Sequence, residues 1–127
     1  MRLLALVSLA LLLPLTACTG SDGADRKAAC AEIQATIDAL GRTTVPETAG
    51  TGSQTFAQTY AEAAKQFRAT AANTTDQPLK SAANSVADAL DALTDAVSLG
   101  RPPGPQITTR VATTADALQK LCTPSQN

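Results

Sequence analysis

The chain has 127 residues, of which 44% are hydrophobic, and a formal charge of −1, so it is one domain at most. Alanine and threonine together supply about a third of it, while histidine and tryptophan are absent and there is one tyrosine and two phenylalanines. Without histidine there is no Ser-His-Asp triad, no imidazole base and no histidine-ligated haem or zinc. The near-neutral charge provides no basic field for nucleic acid.

In chain order, Met1-Arg2 is a one-charge leader, followed by the apolar run Leu3–Leu13. That run is too short to cross about 30 Å of hydrocarbon as a helix, which takes roughly 20 residues. It has the length of a secretory h-region, and Pro14 breaks it. Leu15-Thr16-Ala17-Cys18 then presents an aliphatic residue, two small residues and a cysteine. These four positions resemble the lipobox of bacterial lipoproteins. The resemblance implies cleavage after Ala17, a diacylglyceryl group on the Cys18 sulfur, and Cys18 as the mature N-terminus. Attachment to the outer face of the cell membrane follows, since two or more acyl chains anchor stably. It covers 18 residues and says nothing of the domain behind them. The expected division is a signal peptide over 1–17, a small polar tether over 18–24, a folded domain over 25–122 and a frayed tail over 123–127. Loss of 1–17 removes Arg2 and the only methionine, which excludes methionine-ligated copper or haem.

The folded part reads as four amphipathic helices. Cys30, Ile33, Ile37 and Leu40 recur at 3, 4, 3, with Asp25 as the expected N-cap and Gly41 as the stop. Residues 43–52 are a Thr-, Gly- and Pro-rich loop. Ser53 is the expected cap of a second helix whose stripe, Phe56, Tyr60, Ala63 and Phe67, holds every aromatic residue of the chain. Asn73-Thr74-Thr75-Asp76 reads as a turn, and Asp76 with Pro78 opens a third helix along Leu79, Val86, Leu90, Leu93 and Val97. Residues 100–105 are a rigid break. Pro105 begins a fourth helix along Ile107, Val111, Leu118 and Leu121/Cys122. No stretch alternates with a strand's period of two.

Once Cys18 is set aside for lipid, Cys30 and Cys122 remain, and in an exported chain an even pair reads as one disulfide. Short loops predict an all-α, antiparallel, up-down-up-down four-helix bundle. That topology brings the start of helix 1 and the end of helix 4 together, where the disulfide needs them. The anchor leaves from the same end, so loops 43–52 and 100–105 lie at the far one.

Chemistry-bearing constellations are few. Asp88, Asp91 and Asp95 share a helix face and read as a solvated surface rather than a metal cage. Glu62, Lys65 and Arg68 read as ion pairs within one helix. Serines and threonines have no base, and no GxSxG, SxxK, P-loop or GxGxxG is present. No cofactor, metal or enzymatic activity is expected. Six threonines between Thr43 and Thr59 suit a hydrophilic loop from a GC-rich genome, as in high-GC Gram-positive bacteria, or O-glycosylation. The first functional expectation is a non-enzymatic envelope lipoprotein that presents Glu47 and Arg101, on its outer loops, to an envelope protein or polymer. The second is a small-molecule or lipid carrier with a pocket near Phe56, Tyr60 and Phe67. An inhibitor-like or immunity protein ranks third, because only Glu47 stands out as a key residue in the 43–52 loop.

Overall fold

The computed structural model describes residues 21–42 and 51–123. They form four helices, α1 (Ser21–Gly41), α2 (Thr51–Asn73), α3 (Gln77–Ser98) and α4 (Pro105–Cys122), and no strand occurs among them. The helices are arranged in cyclic order: α2 packs most extensively on α3, then α3 on α4 and α1 on α2, and of these neighbouring pairs α1 and α4 touch least. This is the expected antiparallel four-helix bundle, and Cys30 and Cys122 close it with their Cα atoms 5.4 Å apart.

The element ends follow from local chemistry. Asp76 is extended at the N-cap of α3, its Oδ1 accepts the Leu79 N–H, and Pro78 occupies the first turn where no intrahelical donor is required. Gly104 caps α4 and Pro105 is its first residue. At the end of α3, Gly100 takes φ +68°, a region open chiefly to glycine. The Arg101 N–H then bonds the Ala96 carbonyl and the Gly100 N–H the Val97 carbonyl, a Schellman arrangement that sets where Arg101 stands.

Two boundaries differ from expectation. α1 begins at Ser21, not after a cap at Asp25, so residues 21–24 of the expected tether are helical. Asp25 is free for another role because the helix already runs through it. Ser21 and Asp22 are also residue types that suit a first turn. α2 begins at Thr51, two residues before the expected cap Ser53.

The core is one cluster, with Ile33, Phe67, Leu79, Leu90 and Leu118 as its largest fully buried side chains. Much of the rest is alanine, including Ala63, Ala64, Ala71, Ala83, Ala87 and Ala89, and such small residues let helix axes approach closely. Burial is uneven. Among the described residues α1 buries only Ala29 and Ile33 and α4 only Leu118, while α2, α3 and the turn between them supply the remainder.

Candidate functional site

The aromatic stripe is part of the core. Phe67 is fully buried, Phe56 nearly so, and the Phe56 ring stacks on Tyr60 with centroids 4.2 Å apart. Tyr60 is half-buried, and that burial pushes its hydroxyl pKa above the ordinary value. A groove lies elsewhere. It runs between α1 and α2, has a volume of about 860 Å³, and carries Glu32, Thr36, Gln58, Glu62 and Gln66 over a floor of Ala35, Ala39 and Ala63. Phe56, Tyr60 and Phe67 do not line it. No cation lines it either.

A second groove, of about 730 Å³, lies at the opposite edge of α1, where the helix meets α4. Cys30 and Cys122 form part of its wall, with Gly23, Arg26, Lys27, Lys120, Leu121 and Thr123 around them. Among the described lining residues three are cations and none is a carboxylate. Arg26 is fixed: its guanidinium donates to the Leu121 carbonyl at 2.9 Å and lies 3.3 Å from the Asp76 carboxylate. Lys120 pairs with Asp116 one turn back at 2.7 Å, which holds its ammonium pKa above the ordinary value. Lys27 has no ion pair among the described residues.

Beside Arg26, Asp25 docks on the α2–α3 turn. Its Oδ2 accepts the Thr74 hydroxyl at 2.7 Å, the Thr75 N–H at 3.1 Å and the Thr75 hydroxyl at 3.3 Å. These bonds, the Thr74 hydroxyl first, hold the carboxyl below its usual pKa. Thr74 is itself buried, and its hydroxyl also accepts the Asp76 N–H. Farther along α1, the Glu32 carboxylate accepts the buried Thr70 hydroxyl at 3.0 Å.

The acidic face of α3 differs from the expectation of a wholly solvated surface. Arg68 reaches from α2 to Asp88 at 2.8 Å and Asp91 at 2.7 Å, so two of the three carboxylates bind an arginine across the seam. These contacts raise the Arg68 pKa, Asp91 contributing most. Lys65 does pair with Glu62 within α2 as expected, at 3.7 Å. Among the described residues no cluster of three or more His, Cys, Asp or Glu is placed to hold a metal, and no helix is long and apolar enough to cross a membrane.

Of the expected site residues, Cys18 and Glu47 lie outside the described residues. Arg101 is exposed at the α3–α4 turn near Leu99, a large apolar side chain that is exposed as well. Sequence reasoning missed Arg26, Asp25 and Thr74. The signal available for them was topological: an antiparallel bundle puts residues near 25 beside the 73–76 turn and the end of α4.

No protein-family profile, curated protein or solved structure matches this chain.

Proposed function

We propose that this chain is a cell-envelope lipoprotein, anchored through Cys18 on the outer face of the cell membrane, whose helical bundle is a non-enzymatic interaction module. The observation that carries the reading is the Leu15-Thr16-Ala17-Cys18 motif behind an 11-residue apolar run. The Cys30–Cys122 disulfide supports it, since disulfides persist in oxidising compartments. The binding surface of the module consists of side chains held by rigid helices: the α1/α2 groove along the bundle and Arg101 at its distal turn. Mass spectrometry of protein extracted from membranes tests the anchor. The expected mature N-terminus is acylated Cys18, and Cys18→Ala accumulates as uncut precursor. A mature chain starting at any other residue rejects the reading.

A second reading, a small-molecule carrier, is favoured by one observation. The α1/α2 groove exceeds the roughly 300 Å³ at which ligand pockets begin. Its site is then that groove, with amide and carboxylate walls, in place of the Phe56–Tyr60–Phe67 stripe.

A further inference from the structure

We infer that the α1/α4 groove is a seat for the phosphate of an anionic lipid headgroup, so that the bundle is held against the membrane by its base as well as by its acyl chains. The inference rests on the anchor reading above.

Two independent observations converge on it. The first is chain length. Because α1 begins at Ser21, only Thr19 and Gly20 separate the helix from Cys18. Whatever their conformation, three residue steps span at most about 11 Å. A tether reaching to residue 24 would have allowed roughly twice that distance. The first turns of α1, carrying Gly23, Arg26 and Lys27, therefore stay near the headgroup layer in which Cys18 is embedded.

The second observation is charge. Among the described residues the groove at this end of the bundle is lined by Arg26, Lys27 and Lys120 without a carboxylate, whereas the larger α1/α2 groove has Glu32 and Glu62 without a cation. The three cations differ in availability. Arg26 is spent on Asp76 and on the Leu121 carbonyl, so it shapes the groove and adds fixed positive potential. Lys120 is held only by an exposed pair with Asp116, its side chain 77% accessible, and such pairs exchange readily for a stronger anion. Lys27 is exposed, and a helical side chain leans toward the N-terminus of its helix, which here is the membrane end. The disulfide holds the α1 and α4 walls together. Lys27 stands six residues past Ser21, about 9 Å of helix rise, so a membrane phosphate is the anion that the short link to Cys18 keeps within about 20 Å of this end of the bundle.

The test is lysine footprinting of the acylated full protein, purified from membranes and reconstituted in vesicles. Vesicles of phosphatidylcholine alone are compared with vesicles containing about one-third phosphatidylglycerol. Acetylation of Lys27 and Lys120 is expected to slow at least about three-fold in the anionic vesicles, while Lys65, exposed on α2, is unchanged. Protection is expected to disappear at 1 M salt, where the Debye length is about 3 Å, and protection of Lys120 to fall in Lys27→Gln. Equal labelling in both vesicle types, with acylated Cys18 verified in the same sample, overturns the inference. Equal protection by 10 mM inorganic phosphate in neutral vesicles overturns the membrane assignment. A sample that lacks the acyl group overturns the anchor reading beneath it, so the two failures are distinguishable.

Discussion

The two seams that face each other across the bundle are built differently. The α2/α3 seam is the most extensively packed, with Phe67, Leu79 and Leu90 among close-set alanines. The α1/α4 seam is the least packed. It is joined by the Cys30–Cys122 disulfide and by Arg26, which donates from α1 to the Leu121 carbonyl of α4. An alanine-rich chain thus encloses most of its fully buried large apolar side chains in one hairpin, and adds bonds to the lighter packing of the outer helices, where Ile33 and Leu118 are the enclosed ones. Dispersion and the hydrophobic effect stabilise a surface that is already large. Where the buried area is small, a cross-link or charge-assisted hydrogen bond makes up more of the total.

The largest effect is expected on the packed side. Phe67 is 1% exposed at the centre of the cluster. Phe67→Ala should cost about 3–5 kcal/mol through lost burial and a residual cavity, read as a fall in the chemical-denaturation midpoint. A loss below about 1 kcal/mol would mean that the hairpin does not carry the core. On the other side, Cys30→Ala with Cys122→Ala should cost about 2–4 kcal/mol by freeing a loop with a sequence separation of 92. Hydrogen exchange should then rise mainly in α1 and α4 and least in the middle of α3. Uniform exchange throughout would contradict the division of labour between the seams.

The parts of this design that could be read from the sequence are those with a local cause. The start of α3 was legible because Asp76 and Pro78 are a cap and a first-turn residue. The start of α4 was legible because Pro105 follows a glycine. The disulfide followed from two cysteines left over in a chain whose leader reads as a secretion signal, and the bundle from the 3–4 periodicity. What stayed hidden depends on side-chain direction across a seam. Asp25 looked like a helix cap because it is a capping residue type just ahead of the first apolar stripe, yet it is the acceptor for Thr74 and Thr75, about fifty residues away in sequence. Arg68 looked like the partner of neighbours on its own helix, yet it pairs with Asp88 and Asp91. The aromatic stripe was correctly placed on one face of α2. Periodicity alone does not distinguish a ring that lines a pocket from one that fills a core.

Asp25 offers a pH test of the weakly packed side. Its folded-state pKa is lowered by the Thr74 and Thr75 hydrogen bonds. The stabilisation it gives is therefore complete above the unfolded value of about 3.9 and is lost as pH falls through the lower folded value. Stability near pH 7 should be insensitive to this group's titration. Below about pH 4 the native protein should lose stability more steeply than Asp25→Asn, which has no carboxylate to protonate. Parallel profiles for the two proteins over pH 2–5 would show that Asp25 does not carry the docking of α1 on the α2–α3 turn.

The smallest effects separate two arginines that look alike by accessibility. Arg26 and Arg68 each have a side chain 41% exposed, and each joins two helices. Arg68 bonds carboxylates that are themselves 60% and 45% exposed, on a seam already held by packing. Solvent screens those pairs, and Arg68→Ala should cost less than about 1 kcal/mol. Arg26 bonds Asp76, which is 17% exposed, and a carbonyl at the end of α4. Its loss leaves a shielded carboxylate without its ion pair and a helix-end carbonyl without its donor, on the seam with the least packing to compensate. Arg26→Ala should therefore cost about 1–2 kcal/mol, the range for hydrogen bonds involving a charged group after a discount for exposure. Thermal denaturation of the two variants at low and high salt decides between them. The Arg68 increment should shrink as salt rises, while the Arg26 increment should largely persist, because its partner is shielded from solvent. Equal costs with equal salt dependence would mean that accessibility of the arginine governs both contacts and that the packing of the seam does not.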